Sequence, residues 1–422
     1  MIKKNKYHIK ICLLILLTII LSFFKYKRIK VAIYYSTLKN GGAQRVTALL
    51  INYLSKEKLF DIYLFLNKKV ENEYKTPINV KKKYFHRGIN NLKNELIKNN
   101  IDIIIYQLYN IKEMRILNSL KHIKTIVIIH CSFLTWIYFG KFKYIKVIYN
   151  EYKRLKYVVS LVPFENDFLF KKWGINSILL NNFITYDYDN IKPSDLSSKT
   201  ILMIGRASDK RKRFILGIKA MKYISKEIPE SEMKIISKKN NIHKLIKLVK
   251  KLKLENHVKF LGYTSNPEIY FKNASLNIIP SSTESFSLVL CETKAYGIPN
   301  IITGINYVSP AKGGVINIDD DDPKSIAKAA IKILKNESYR KQLGKEARQS
   351  MKKFKNSLTA KKWIELIKAV YKGDKYYEKL RKENKKISEI EALTILKTQL
   401  KLLKKRIEKY KNITIDTLIQ II

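Results

Sequence analysis

The sequence predicts an α/β fold in which two doubly wound parallel sheets lie side by side. Eleven short, β-branched apolar runs recur from residue 30 onward, most with room for a helix between them, as is typical of parallel strands buried on both faces. The runs form two series separated by the polar stretch 185–198. A chain of 422 residues, 46% of them apolar, is long enough for two such domains.

The two series define the strands in order. The first comprises residues 30–36, 60–66, 101–107, 124–130, 157–162 and 177–182. The second comprises residues 200–206, 232–237, 257–263, 275–281 and 300–304. Ligands of open parallel sheets bind beyond the carboxyl ends of the strands. We therefore expect the chemistry in the loops that follow these runs.

The composition limits compartment and partners. Three scattered cysteines do not form a disulfide framework or a zinc site, so a reducing compartment is expected. The formal charge of +48 fits an anionic membrane surface, or the lysine-rich codon bias of an A+T-rich genome. Nucleic acid is not an expected partner, because no basic run is interleaved with a recognisable binding motif.

The amino-terminal segment bears on localisation. Residues 11–24 are almost wholly apolar and have lysines on both sides. The run is shorter than the roughly 20 residues that span a bilayer, although snorkelling lysines and local thinning compensate. A cleaved signal peptide is the alternative, but no small-x-small cleavage site follows Phe24. We expect an uncleaved single-pass anchor over residues 1–29, with the folded domains in the cytoplasm.

Two loops carry residues suited to phosphate. Gly41 and Gly42 follow the first run and precede a helix, where the backbone and its free N–H groups can approach a phosphate or sugar oxygen. Taken alone, the pair also fits an ordinary turn. Arg206 and Lys212 lie on either side of a loop-to-helix junction and suit a polyanion, or form a solvated basic patch.

Two glutamates stand eight positions apart in the stretch PSSTESFSLVLCETKAYGIPNI (280–301). Glu284 falls in a loop and Glu292 in the helix that follows. The neighbours of Glu292, LVLC at 288–291, predict a buried helix, in which an unpaired carboxylate is costly. Glu292 is therefore expected to bind a partner.

Four motifs occur in one order: GGAxRV after the first run, GRxxxxxK after the first run of the second series, FLGY at 260–263, and E-x7-E followed by KAYGIPNI. In this order and spacing they resemble the retaining GT-B glycosyltransferases of family 4, in the bacterial capsule and lipopolysaccharide branch. The resemblance covers residues 30–372. It implies two Rossmann-like domains facing a cleft, with a nucleotide-sugar donor held mainly by the second domain and a glycan or lipid-linked acceptor held by the first. It implies no metal and no other cofactor.

The resemblance also implies the site residues. Glycosyl transfer leaves negative charge on two phosphates, which fixed positive groups stabilise. Glu284 is expected to bind the donor sugar, and Glu292 the ribose hydroxyls. The implied catalytic residues are Glu284, His130, Arg206 and Lys212. The implied donor-binding residues are Gly41, Gly42, Arg206, Lys212, Phe286, Ser287, Leu288 and Glu292.

Some positions depart from the family pattern or remain open. Ser285 and Ser287 replace glycines that are common between the glutamates, and Arg213 stands where glycine commonly follows the lysine. Thr293 replaces the usual alanine. His130 ends the run at 124–130; it either faces the sugar and acceptor or is a packed, hydrogen-bonded core histidine.

Acidic clusters offer a weaker hypothesis of a metal site. DYD at 187–189 lies in the linker, away from the expected cleft. In DDDD at 319–322, Asp322 followed by Pro323 is typical of a helix N-cap and first helical position. We therefore expect both clusters to be structural and no metal to be bound.

The chain ends in a basic helical segment. Its apolar residues recur at three- and four-residue steps among lysines: Leu393, Leu396, Leu400, Leu403 and Ile407. Such a helix suits an anionic lipid surface or a short coiled coil. Two heptads are few for a stable coil, so we expect membrane contact.

The predicted organisation follows from these motifs. It is an anchor at 1–29, an acceptor-side domain at 30–184, a linker at 185–198, a donor-binding domain at 199–357, a closing helix at 358–373 and a tail at 374–422. The predicted function is metal-independent, retaining hexosyl transfer (EC 2.4) from a nucleotide-diphosphate sugar to a glycan or lipid-linked acceptor. The alternative is a catalytically inactive, membrane-associated scaffold with the same fold.

Overall fold

The computed structural model describes residues 28–39, 41–85, 89–186, 188–384 and 387–407. Within these residues the chain forms two parallel sheets, each with apolar clusters on both faces, which confirms the predicted fold class. Each sheet has its own core, and the two face each other across a cleft closed by direct contacts.

The first sheet has seven strands. They are β1 (Ile29–Tyr35), β2 (Phe60–Leu66), β3 (Lys81–Tyr84), β4 (Ile103–Tyr106), β5 (Lys124–Ile129), β6 (Tyr157–Ser160) and β7 (Ser177–Leu179), in the spatial order β3-β2-β1-β4-β5-β6-β7. Its helices are α1 (Gly42–Leu54), α2 (Ile89–Lys98), α3 (Ile111–Ser119), α4 (Phe133–Tyr138), α5 (Phe142–Leu155) and α6 (Pro163–Trp173). Side chains of β1 alternate between two cores, with Ile33 in one and Tyr34 in the other, so both faces are buried.

The second sheet has six strands. They are β8 (Thr200–Ile204), β9 (Glu232–Ile236), β10 (Val258–Gly262), β11 (Leu276–Ile279), β12 (Asn300–Thr303) and β13 (Val315–Ile318), in the order β10-β9-β8-β11-β12-β13. Its helices are α7 (Phe214–Glu227), α8 (His243–Lys251), α9 (Glu268–Phe271), α10 (Leu288–Ala295), α11 (Pro323–Lys335) and α12 (Glu337–Ser350). Strand β1 lies inside the first sheet and strand β8 inside the second, so the loops after these two strands open onto the cleft.

All eleven predicted runs contain a strand, but β3 and β13 were not predicted. Both lie at sheet edges. The sequence of β3 is KKKY, with side chains that alternate between exposed and half-buried. Lysines are common on edge strands, where they discourage pairing with another chain. Hydrogen bonding to β2, rather than apolar character, makes this segment a strand.

The predicted linker is packed along the second domain. The Ser194 backbone N–H donates to the Tyr296 carbonyl over 2.8 Å, and Leu196 is buried. The Arg348 guanidinium donates to the Tyr188 and Ile191 carbonyls over 2.5 and 2.6 Å. Most of this stretch therefore belongs to the second domain, which leaves the residues around Thr185 at the junction.

After the second domain the chain returns to the first. Helix α13 (Asn356–Lys372) places Trp363 and Ile367 in the core beneath β1 and β2. The Lys124 ammonium of β5 donates to the Val370 and Tyr371 carbonyls at its end, both over 2.8 Å. Helix α14 (Asp374–Glu383) buries Tyr377 against β6. These helices tie the carboxyl-terminal part of the chain to the first domain.

The expectation that the apolar stripe of the tail faces lipid is wrong for the described residues. Helix α15 (Glu389–Ile407) buries Leu396 and Leu400 completely, in the same core as Phe133 of α4 and Phe168 of α6. Gln399 also donates to Asn306 of the second domain over 3.3 Å. An amphipathic pattern shows that one face is apolar but not which surface covers it. Residues 408–422 of the predicted tail lie outside the described residues.

In the described part of the chain, no helix combines the length and apolar character needed to cross a membrane. The apolar run at 11–24, on which the predicted anchor rests, lies outside that part.

Candidate active site

The glycine loop and the glutamate helix meet across the cleft. Gly42 opens α1, and Leu288 opens α10. A Cβ atom at Gly42 would lie 3.1 Å from Leu288 Cδ1, which is tighter than ordinary contact. A side chain at position 42 would thus require Leu288 to shift by a few tenths of an ångström, which fits the close approach that the motif predicts. The predicted donor residues Gly42 and Leu288 lie together.

Glu284 and Lys212 are directly paired. The Lys212 ammonium donates to Glu284 Oε1, and the Ser281 hydroxyl donates to the same oxygen over 3.0 Å. The Tyr307 hydroxyl accepts from the Glu284 backbone N–H over 3.0 Å and donates to the Glu284 carbonyl over 2.9 Å. The loop after β11 is thereby held in one conformation, with an acid and a cation side by side.

Glu292 is paired with the other domain. Its carboxylate, 5% exposed, accepts from Arg45 of α1 over 2.6 Å and from the Thr185 hydroxyl over 2.7 Å. Burial raises the pKa of the Glu292 carboxyl, and the Arg45 guanidinium and the Thr185 hydroxyl act in the opposite direction. The protein partner of this buried carboxylate is thus a cation of the first domain, which was not predicted, and its predicted binding of the ribose hydroxyls stays a prediction.

Arg206 and Lys212 occupy different environments. The Arg206 side chain is 74% exposed and, within the described part of the chain, pairs with Asp209 at 3.4 Å. Asp209 holds Arg211 more closely, at 2.7 Å, and the Arg211 guanidinium donates to Thr135 of the first domain over 3.2 Å. Four basic residues follow one another at 210–213, and among them Arg211 makes the described contact across the cleft. Sequence reasoning did not distinguish it from its neighbours.

Two of the departures from the family pattern occupy backbone conformations that favour glycine. Arg213 has φ 46° and Ser287 has φ 65°, both left-handed. Contacts of the Arg213 guanidinium offset this strain, because it donates to the Pro280 carbonyl over 2.6 Å and to the Thr303 hydroxyl. Ser287 caps α10 without a side-chain hydrogen bond. At these two positions the backbone has the conformation that the glycine of the family pattern would suit.

Ser285, a third departure, binds the first domain. Its hydroxyl donates to the His130 carbonyl over 2.8 Å and accepts from the Ser132 backbone N–H over 2.9 Å. A further contact joins the Thr135 and Thr283 hydroxyls at 3.2 Å. Phe286 turns its side chain inward against Phe354, so any ligand contact of Phe286 falls to its backbone.

His130 lies where β5 ends and is held by Gln107 at the end of β4. Its Nε2 is 2.9 Å from Gln107 Oε1, which also accepts from the Thr47 hydroxyl over 2.9 Å. Burial lowers the pKa of His130 to about 4. The imidazole is therefore neutral near pH 7 and acts as a hydrogen-bonding group.

Glu165 lies behind this side of the cleft. It is buried at the start of α6, in the PFEND stretch, and accepts from the Ser132 hydroxyl. Burial raises the pKa of Glu165 to about 8, against the opposing effect of that hydrogen bond. The group therefore holds its proton at neutral pH.

The described residues of the two acidic clusters take part in local contacts. Asp322 caps α11 by accepting from the Lys324 backbone N–H over 3.0 Å, as its position before Pro323 predicts. Asp189 pairs with Lys355 over 2.5 Å, and Asp187 lies outside the described residues. Among the residues that are described, no three or more His, Cys, Asp or Glu side chains are grouped as metal ligands.

Sequence reasoning missed several residues that shape the site: Arg45, Thr185, Gln107, Arg211 and Tyr307. Only Arg45 carried a signal, as the arginine of the GGAxRV motif one turn after the glycines. The others depend on contacts between segments distant in sequence.

Comparison with known proteins gives a family match within the second domain. Residues 187–350 match the family Glycosyl transferases group 1. A poly(glycerol-phosphate) alpha-glucosyltransferase from Bacillus subtilis is 27% identical over 186 residues, which is 42% of this chain and 28% of that protein. An uncharacterized glycosyltransferase from Haemophilus influenzae is 26% identical over 277 residues, 61% of this chain and 76% of that protein. The matched part thus covers much less than the whole of the Bacillus relative.

Solved structures share the whole two-domain architecture. Sucrose-phosphate synthase from Thermosynechococcus elongatus aligns with a TM-score of 0.70 and 16% identity, covering 82% of this chain and all of that one. HepE from Anabaena, solved with UDP and glucose, aligns with a TM-score of 0.66 and 13% identity, covering 81% of this chain and all of that one. At this identity the likeness establishes the fold. Together, the family match and the relatives support a glycosyltransferase with the GT-B fold.

Proposed function

We propose that this protein is a retaining, metal-independent glycosyltransferase that moves a hexose from a nucleotide-diphosphate sugar to a glycan or lipid-linked acceptor. The observation that carries the proposal is the pairing of Lys212 with Glu284 at the carboxyl edge of the second sheet, facing the His130 loop of the first. Lys212 and Glu284 lie inside the region that matches the glycosyltransferase family.

The second domain supplies the groups that a diphosphate leaving group requires. Lys212 provides a point charge beside Glu284, and Arg206 has an exposed guanidinium able to bind two phosphate oxygens. The amino terminus of α10 adds backbone N–H groups that no side chain caps. Such fixed donors stabilise the charge that develops as the bond between the sugar and the phosphate breaks.

The first domain supplies neutral polar groups. The pKa of His130, lowered to about 4, keeps the imidazole neutral at pH 7 and makes it a weak base, so we assign it a hydrogen-bonding role. In the proposed transfer the acceptor oxygen bonds to the anomeric carbon on the face that the phosphate leaves. The acceptor proton passes to the departing phosphate oxygen, so no side chain needs to take it.

Among nucleotide-diphosphate hexoses, the donor that we propose is a UDP-hexose. The Anabaena structure contains UDP and glucose, and the Bacillus relative is named as an alpha-glucosyltransferase. The test is to incubate the protein with UDP-, GDP- and other nucleotide sugars and to measure released nucleotide. We expect release from one class, faster when acceptor is present.

Two further measurements test the finer parts of the proposal. The product should keep the anomeric configuration of the donor, as read by NMR, and activity should survive a chelator. Inversion would exclude the retaining mechanism, and loss with EDTA that Mn²⁺ or Mg²⁺ restores would exclude metal independence. A protein that binds and cleaves none of the nucleotide sugars would instead be the inactive scaffold.

We also propose that residues 11–24 anchor the protein to a membrane, with the folded domains in the cytoplasm. The support for the anchor is the apolar run of residues 11–24, whereas the basic residues that flank it on both sides do not set its orientation. Membrane fractionation of the full chain and of a variant that starts at residue 28 tests this. Equal amounts of both in the soluble fraction would refute it.

A further inference from the structure

Arg45 lies where the first domain, the linker and the second domain meet. Its Nη1 donates to Glu292 Oε1 over 2.6 Å and to Thr185 Oγ1 over 3.1 Å, and Thr185 Oγ1 donates to the same carboxylate oxygen over 2.7 Å. Its Nε donates to the Tyr74 hydroxyl over 3.4 Å within the first domain. One guanidinium thus connects three segments that would separate if the domains moved apart.

Close packing of two helices makes this contact possible. Gly42 of α1 lies against Leu288 of α10, and one turn further along each helix Arg45 faces Glu292. Tyr74, which supports Arg45, is itself fixed by a hydrogen bond from its backbone N–H to the Leu38 carbonyl over 3.0 Å. The position of the guanidinium is therefore set by the first domain, and its partner belongs to the second.

The carboxylate retains acceptor capacity for a ligand. Both described hydrogen bonds to Glu292 end on Oε1, which leaves Oε2 for further donors. The Arg45 side chain is 22% exposed, so it lies at the cleft surface rather than beneath it. Removing the cation that pairs with a buried carboxylate is costly, because the buried charge is then uncompensated. A paired carboxylate does not carry this cost.

Arg45 is the charged group that pairs with the Glu292 carboxylate, because the other ionisable neighbours described below are neutral or directed elsewhere. Burial raises the pKa values of Tyr186, Tyr296 and Cys291, so these neighbours stay neutral in the physiological range. The Lys294 ammonium is directed away, to the Pro310 and Lys312 carbonyls over 2.6 and 2.7 Å.

We propose that Arg45 is a positioning residue that couples closure of the two domains to donor binding, by holding the Glu292 carboxylate in place to accept the ribose hydroxyls. This inference rests on the proposed function, because it takes the nucleotide of the donor as the ligand of Glu292. Arg45 acts through Glu292 and touches no reacting atom. It therefore affects KM for the donor far more than kcat.

The test compares the full-length protein with Arg45→Met, using whichever of UDP and GDP the wild type binds more tightly. We expect affinity to fall about 10- to 100-fold, the range for losing a hydrogen bond to a charged group. KM for the donor should rise in parallel with little change in kcat. Arg45→Lys should recover part of the loss. The matched control is Arg28→Met, which removes an arginine–aspartate pair at the other end of β1.

A pH series and a scattering measurement add readouts that a merely structural residue would not move. Burial raises the pKa of Glu292 and Arg45 opposes that rise, so without Arg45 the pKa should rise further and nucleotide affinity of Arg45→Met should increase with pH more steeply than that of the wild type. In small-angle X-ray scattering without nucleotide, the variant should be more extended than the wild type. If Arg45→Met does not fold, Arg45→Lys and Thr185→Val take its place.

The outcomes separate the two proposals. A wild type that binds neither UDP nor GDP, nor any other nucleotide of the donor panel, refutes the proposed function, and this inference with it. A wild type that binds, with Arg45 variants of equal affinity or of unchanged pH dependence, refutes the role of Arg45 alone. Weakened, pH-dependent binding restored by lysine supports it.

Discussion

Apart from the Arg45–Glu292 pair that joins them, the two sides of the cleft hold their titratable groups in opposite states. On the first side, burial lowers the pKa of His130 to about 4 and raises that of Glu165 to about 8, so both groups are neutral at pH 7. On the second side, Lys212 is paired with Glu284. Burial opposes ionisation of Asp209 there, but the Arg211 hydrogen bonds and charge lower its pKa.

The difference shows what each side is suited to bind. Burial without a counter-ion gives neutral donors and acceptors, which match the hydroxyl groups of a sugar acceptor. Burial with counter-ions gives fixed charges, which match a diphosphate. The contrast between the sides, rather than either one alone, favours transfer from a charged donor to an uncharged hydroxyl.

Lys212→Met would break the charged side and should have the largest effect. Removing a fixed group that stabilises a developing anion costs about 10²–10³-fold in rate, and we expect kcat/KM to fall by that factor. Steady-state kinetics with the best donor is the measurement. Lys210→Met is the control, because Lys210 is exposed in the same turn. Equal losses in both variants would mean that general basicity, not one cation, supports the reaction.

Glu165→Gln tests the neutral side through stability. Because the folded-state pKa is raised from 4.5 to about 8, the folded protein keeps a proton that the unfolded chain releases. Stability should therefore fall as pH rises between these values, by at most about 1.4 kcal/mol per pH unit. Urea denaturation at several pH values should show that Glu165→Gln lacks this slope. The exposed Glu71→Gln should keep it, and identical slopes in all three proteins would contradict the assignment.

His130→Gln probes the neutral side through catalysis. If the imidazole only donates a hydrogen bond, its loss costs about 1 kcal/mol, or roughly fivefold in kcat/KM. The pH–rate profile between about pH 5 and 8 should keep its shape, since a neutral imidazole does not titrate there. If the variant lost one limb of the pH–rate profile near the ordinary histidine pKa, His130 would instead act as an acid or a base.

Ser287→Gly should give the smallest effect, a gain of about 0.5 kcal/mol in unfolding free energy. Glycine relieves the left-handed backbone at φ 65°, but it also makes the unfolded chain more flexible. Arg213→Gly is the counterpart at φ 46°, and there the lost guanidinium contacts should outweigh the relief. Thermal unfolding compares the two, and a stabilised Arg213→Gly would show that the contacts contribute little.

Much of this architecture was predictable because its signals are local. Apolar β-branched runs identify the inner strands, since burial on both faces demands such residues. Asp322 before Pro323 identifies a helix start, and Gly42 before a helix identifies a close approach. The edge strand β3 was not predicted, because its hydrogen bonding to β2, rather than its composition, makes it a strand.

By itself the sequence determined the two series of strands, the loops that carry the chemistry and the order of the motifs, because each depends on residues near one another in the chain. Only the tertiary structure decided that Arg45 meets Glu292, that Arg211 rather than Arg206 spans the cleft, and that α15 covers a protein core. These are contacts between segments far apart in sequence. Charge and apolar patterning in the sequence predict that a residue needs a contact partner. The packing of the two domains determines which residue that partner is.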